Sequence, residues 1–469
     1  MKAMTENKMG TEPIRKLLIT MSLPAMLSML VQSLYNVVDS MFVAKINEDA
    51  LTAVSLVYPI QILMIAVGIG TAIGVNSLIS RRLGEKRFEE ANHAAEHGIF
   101  LGVCNWIIFA IIGIFFSHSI MNAFTKDAAV ANLGYSYLLI VTTGSVGILI
   151  ESNISKTLQA TGNMLYPMMS QLIGAITNII LNPLMIFGIG FFPKMGIVGS
   201  ATATITGQML SLIFSSYVLA KKQKEIKVTM RHFRPQLSII KDIYVVGFPS
   251  IIMQAIMSVL VTCLNIMLIV FSKTAVAFLG IYYKLQSFIY MPVFGLSQGA
   301  MPILGYNFGA RNKKRLLSTL KLYGLIAIII MSVGVLLFHL FPKQLLIIFS
   351  ASKQMFNIGI PALKTMSLCF VFSAVGITIS TVFQAIGQGF KSMVLSLLRQ
   401  LIFILPAAYL LAKYTGLGGI WYAFVIAELL TMCIAIPMLM FTLKKQFAIW
   451  KEAKQHADNN VLETSFQKK

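Results

Sequence analysis

The chain has 469 residues, of which 57% are hydrophobic and only 12% charged, with a net charge of +21 and a mean hydropathy of +0.78. A soluble domain carries about 25% charged residues, so this composition excludes a soluble enzyme or a nucleic-acid-binding domain and requires a polytopic membrane protein. The apolar runs are long and continuous, which selects transmembrane helices of roughly 20 residues over the short alternating segments of a β-barrel.

Twelve spans are expected in chain order, near residues 17–43, 52–80, 94–117, 131–158, 164–190, 196–220, 242–271, 276–304, 316–341, 356–386, 391–412 and 417–443. The first follows a basic N-terminus, exceeds a signal-peptide core in length and reads as a retained span. The loops alternate in charge. Arg15 and Lys16 precede the first span, and the loop at Asn47-Glu48-Asp49 is acidic. RRLGEKR (Arg81–Arg87) is basic, and so are the stretch Lys221–Lys241, the turn Arg311–Arg315 and the tail beyond Lys444. With twelve spans all the basic loops share one side, so both termini are expected in the cytoplasm.

The basic stretch 221–241 divides two copies of one plan. Gly84 and Gly309 sit in matching glycine turns. Gln159-Ala160-Thr161-Gly162 matches Gln384-Ala385-Ile386-Gly387, and Pro24 matches Pro249. Each pair is separated by 225 residues. One offset for three landmarks indicates an internal duplication. The expected organisation is a six-helix lobe over 1–220, a basic cytoplasmic linker over 221–241, a second six-helix lobe over 242–445 and a polar, disordered tail over 446–469. An even number of spans per half makes the repeats parallel, so a cleft between them can open to either side by rocking.

Acids inside spans are costly, about 2.5–3.5 kcal/mol each on insertion scales, and mark functional positions. Three stand deeper than the first or last turn of a span: Asp39, Glu151 and Glu428. Gln32, Tyr35, Asn36 and Asp39 fall at i, i+3, i+4 and i+7, one polar helical face suited to a cavity. A desolvated Asp39 carboxyl can carry a proton or, with neutral oxygens, hold Na⁺; the alternative is a structural hydrogen-bonded Asp. Asn178 and Asn182 share a face of the fifth span, and Thr202 and Thr204 lie in the sixth. Such oxygens surround small cations, and they also serve close helix packing. Glu151 is either a cation-attracting carboxylate of the first lobe or half of an ion pair with another helix. Arg399 and Glu428 are expected to form a structural pair in the second lobe. Lys284 has no evident partner.

Cys104, Cys263, Cys369 and Cys433 lie in apolar runs without metal or disulfide spacing. The 28 Met and 31 Phe suit a cavity for apolar and cationic ligands and are also ordinary in membrane helices. No GxxxxGK[ST] loop, HExxH or placed GxSxG is present, so uphill transport would draw on an ion gradient, with no cofactor.

The stretches Leu158–Gly188, Met195–Thr204, Gly295–Asn312, Phe383–Gly389, Leu397–Pro406 and Gly416–Trp421, in this order, resemble the multidrug and toxic compound extrusion family, and within it the DinF-like branch. The resemblance covers about 14–440. It implies a V-shaped pair of six-helix lobes in a bacterial cytoplasmic membrane, working as a monomer. Such proteins export cationic, amphipathic drugs in exchange for H⁺ or Na⁺. It also implies an ion-coupling cluster at Asp39, Asn178, Asn182 and Thr204, with Asn182 standing where an acid is usual; Glu151 could supply the missing charge. The seventh span, near Met257, lacks the acid of the other branch. The runner-up reading is a lipid-linked precursor flippase of the same superfamily. A passive channel or an intramembrane enzyme are further rivals.

Overall fold

The computed structural model describes residues 7–44, 46–223, 225–349 and 352–466, with the side chains of 35–41, 44, 232, 454 and 456–466 outside the description. Among the described residues, eleven helices are long and apolar enough to cross a bilayer, and a bent pair meeting at 44° makes a twelfth. In chain order the first six are α1 (Ile14–Ala44), α2 (Glu48–Gly84), α3 (Phe88–Phe124), α4 (Ala128–Thr143 continued by Val146–Ala160), α5 (Leu165–Phe187) and α6 (Ile197–Lys221). Their counterparts are α7 (Leu237–Ile269), α8 (Lys273–Gly309), α9 (Lys313–Leu340), α10 (Lys353–Ser367 continued by Cys369–Ala385), α11 (Gly389–Leu397 through Leu405–Thr415) and α12 (Leu417–Phe466).

The repeat seen in the sequence has a geometric cause at each landmark. Gly162 and Gly387 close α4 and α10 with φ of +89° and +80°, the left-handed conformation that glycine adopts freely. The turns RRLGEK and YNFGAR work differently. There the left-handed residues are Lys86 and Arg311, at φ 61° and 54°. The glycines are instead the last residues of α2 and α8, where they let two helices touch. Both α4 and α10 are interrupted near their middle, at residues 144–145 and 368, and α11 carries a π-helical turn over Leu398–Ile404.

The two halves meet through crossed pairs, α2 against α7 and α1 against α8. An added Cβ on Gly70 would stand 2.8 Å from the Ile251 nitrogen, and one on Gly295 would stand 2.6 Å from the Met26 nitrogen. Gly74 and Gly299 repeat this one turn on, against Gly247 and Ser22. Without a hydrophobic force between helices in lipid, backbone approach at small residues supplies the packing. These contacts all lie in the half of the molecule that carries the basic loops.

Two expected edges shift. The stretch 237–241, read as linker, is the first turn of α7, and α12 runs on to Phe466 where a disordered tail was expected. Beyond Pro437, α12 contains no Pro or Gly, and its Lys, Glu, Ala and Gln residues are strong helix formers. The remaining linker is folded against the first half through Lys227, Thr229 and Gln236. The Lys227 and Thr229 amides donate to Asn92 Oδ1 and Glu96 Oε1, both at 2.9 Å, and the Gln236 amide donates to His97 Nε2 at 2.8 Å.

Candidate functional site

The antiparallel pair α5 and α6 is drawn together at Gly174 and Gly207, where an added Cβ on Gly207 would stand 2.6 Å from the Gly174 oxygen. One turn farther along, this approach brings Asn178 and Thr204 into contact: Asn178 Nδ2 donates to Thr204 Oγ1 at 2.9 Å. Both are buried, and so is Asn182, one turn beyond Asn178 on the same face. Asn178 Oδ1 is sealed from solvent and accepts no hydrogen bond among the described residues. A buried amide oxygen without a donor is suited to a small cation or to a protonated acid.

Helix α1 packs along α5. Its polar face carries Gln32, which is half-buried, and Tyr35, Asn36 and Asp39, whose side chains lie outside the described residues. The backbone therefore packs the helix that carries Asp39 against the helix that carries Asn178. The described side chains at the α5–α6 contact offer neutral oxygens, a donor type that small cations accept.

Glu151 belongs to a different place. Its Oε1 accepts from the Ser155 hydroxyl on its own helix at 2.5 Å and from the Ser170 hydroxyl of α5 at 2.8 Å. None of the ion pairs among the described residues includes it. Ser170 precedes Asn178 by eight residues, roughly 12 Å along the helix. That separation is too large for Glu151 to share one ion with Asn178 and Thr204, so it does not supply the charge that Asn182 lacks.

Lys156, five residues after Glu151, occupies the junction of the halves. Its Nζ donates to Gln159 Oε1 on α4 and to Gln298 Oε1 on α8, both at 2.8 Å. The Gln298 amide in turn reaches the Met29 sulfur of α1 at 3.4 Å. A half-buried lysine among amide oxygens fixes one helix of each half relative to the other. Its signal in the sequence was its place inside the fourth span, three residues before the repeated glutamine.

In the second half, Arg399 Nη1 lies 3.3 Å from Glu428 Oε1. Arg399 is on the π-helical turn of α11, and Glu428 is buried on α12, with its other oxygen accepting no hydrogen bond among the described residues. Nearby, Tyr290 of α8 donates to Ser373 of α10 at 2.8 Å. Lys284 is exposed on α8.

Comparison with known proteins matches this architecture at full length. The MatE family model matches residues 24–184 and again 249–410, once in each half. The multidrug export protein MepA of Staphylococcus haemolyticus strain JCSC1435 is 24% identical over 440 residues, covering 93% of this chain and 96% of its own. MepA of Staphylococcus aureus strain NCTC 8325 is 24% identical over 435 residues, covering 91% and 93%. Among solved structures, the outward-facing conformation of a multidrug resistance MATE family transporter superposes with a TM-score of 0.88 at 27% identity, covering 95% of this chain and 99% of that one. A MATE in the bent conformation gives 0.86 at 28% identity, covering 92% and 96%. Two matches of one model over most of the chain place it: it belongs to the MatE family of membrane transporters and is not an enzyme.

Proposed function

We propose that the chain is an ion-coupled antiporter of the bacterial cytoplasmic membrane. It exports cationic, amphipathic drugs in exchange for H⁺ or Na⁺, works as a monomer and keeps both termini in the cytoplasm. The similarity to the MepA multidrug exporters over most of the chain supports drug export, and the basic loops on one side support the orientation. The observation that carries the coupling site is the buried Asn178–Thr204 contact with its unused amide oxygen, on the helix against which α1 packs.

The mechanism follows from what α1 touches. Toward its basic end α1 meets α8 backbone to backbone, at Ser22 and Met26. Toward its other end it carries Asp39 along α5. Pro24 lies in the first of these stretches and removes one helical hydrogen bond, so α1 can bend there. An empty, charged Asp39 attracts a cation or a proton. Once neutralised, it no longer demands a polar surround, and α1 can repack on α5. Because the same helix is wedged against α8, repacking at one end alters the closure of the halves at the other. Ion binding from outside thereby opposes drug binding, and the two alternate.

The test is efflux of a fluorescent cationic dye from cells expressing the protein, with the H⁺ and Na⁺ gradients collapsed separately. Wild type should export, Asp39→Asn should not, and Glu151→Gln should keep its dependence on the same gradient. Export by Asp39→Asn at the wild-type rate refutes the coupling site. Absence of dye export under every condition favours a lipid-linked precursor as the substrate.

A further inference from the structure

A crevice of about 470 Å³ lies between the first half and the linker. Its floor is α4, its walls are α3 and α6, and the linker closes one end. The apolar lining includes Ile99, Ile150, Ile154, Leu219 and Val228, with Ser216 on the α6 wall. Ile99 lies two residues beyond His97, whose ring bonds the linker, and Ile150 ten residues before the end of α4, so the crevice lies where α3 and α4 pass from the linker into the bilayer.

The mouth carries lysines and one acid, Glu96, whose Oε1 accepts from the Thr229 amide and whose Oε2 lies 3.1 Å from His93 Nδ1. Lys227 lines the mouth, and exposed Lys221 and Lys222 stand between two further lining residues, Ala220 and Gln223. The nearest acid in sequence, Glu225, is turned away: its Oε2 accepts from Asn7 at 2.5 Å. None of the ion pairs among the described residues includes Lys227. The linker is held in place over the crevice by its bonds to Asn92 and Glu96, so the lysine is presented from a fixed backbone.

We propose that this crevice is a binding site for one anionic phospholipid of the surrounding bilayer, with an acyl chain laid along α4 and the phosphate at Lys227. The argument is charge complementarity at a fixed depth. The isoleucines of α3 and α4 give an acyl chain apolar contact, and lysines at the membrane surface select a negative headgroup, each by about fivefold. The lipid would join α3 and α6 to the linker, which connects the two halves. This site is separate from the coupling cluster and does not depend on the export reading.

The test is native mass spectrometry of the purified full chain in mild detergent, titrated with phosphatidylglycerol or phosphatidylcholine, with no transport involved. Wild type should retain one phosphatidylglycerol at concentrations at least about tenfold below those at which phosphatidylcholine binds. Lys227→Glu should weaken phosphatidylglycerol by at least about fivefold and leave phosphatidylcholine unchanged. Ser216→Trp, which fills the slot, should lose the bound molecule for both lipids. If Ser216→Trp does not fold, Lys227→Glu alone decides. Equal retention of phosphatidylglycerol by Lys227→Glu and wild type overturns the proposal. So does tighter binding of a cationic dye by Lys227→Glu with displacement of the lipid, which would make the crevice a drug site.

Discussion

Gly84 lies so close to Tyr306 that a Cβ added to the glycine would stand 2.0 Å from the tyrosine carbonyl oxygen. The relation repeats 225 residues on, where a Cβ on Gly309 would stand 2.1 Å from the Arg81 oxygen. Each half thus offers the last glycine of its second helix to the backbone of the other half, as a twofold demands. The obstructing atom in each case is backbone, so it cannot rotate away. Gly84→Ala and Gly309→Ala should each disfavour the arrangement closed on the basic side by about 1–3 kcal/mol, the range of overpacking. Gly280→Ala and Gly418→Ala, which meet nothing within 4 Å, should be silent. Spin-label distances between the halves at the basic side, in a background without the four cysteines, check this; equal distributions for Gly84→Ala and Gly280→Ala would contradict it.

Lys156 is expected to act in the same closure. Its bond to Gln298 is charge-assisted and half-buried, worth about 1.5–3 kcal/mol. Lys156→Met keeps the length of the side chain and removes the bond. It should shift the population toward the state open on the basic side by about tenfold or more, with Gln298→Leu giving the same shift and the double variant no further one. Additive effects in the same distance measurement would show that the two side chains act independently.

The linker should respond to pH. Burial pushes the Glu225 carboxyl above its ordinary value, against the opposing pull of the Asn7 hydrogen bond and the Lys8 charge. A carboxyl raised in the docked state binds its proton more readily there. Docking is therefore favoured by acid, most fully below the ordinary value of 4.5, and this contribution is lost as pH rises through the raised value. Hydrogen exchange at residues 225–229 should slow on acidification after correction for the intrinsic rate, and Glu225→Gln should abolish the dependence. An unchanged pH profile in Glu225→Gln would rule the carboxyl out.

The Arg399–Glu428 pair predicts an asymmetry. Glu428 is buried, so Arg399→Met strands a charge and should cost about 3–5 kcal/mol. Glu428→Gln leaves the more exposed arginine to solvent and should cost less. Combining the two should recover part of the loss. Thermal unfolding in detergent ranks the three variants, and a double variant less stable than Arg399→Met would refute the pairing.

The sequence made legible what depends on repetition and composition: twelve spans, two copies and the landmark glycines. The small residues at Gly162 and Gly387 recur because their backbone conformation admits little else. What stayed hidden were contacts between residues far apart in the chain. Nothing local marks Gln298 as the partner of Lys156, or Asn7 as the donor to Glu225, because both pairings are created by packing. Glu151 shows the same limit from the other side. Its burial in a span was evident, while its place two turns from Asn178 follows from which face of α4 meets Ser170. The cluster of Asn178 with Thr204 was legible in outline from the resemblance, and its cause, the Gly174–Gly207 approach, was not.

The central claim is that ion binding beside Asn178 drives export. It is tested most directly in vesicles containing only the purified protein, with a fluorescent cationic drug inside and an inward H⁺ or Na⁺ gradient imposed. Drug should leave against its own gradient under one of the two ions. Asn178→Ala and Asp39→Asn should reduce that driven flux at least about tenfold while drug binding to detergent-solubilised protein persists. Driven flux at the wild-type rate in both variants would contradict the account.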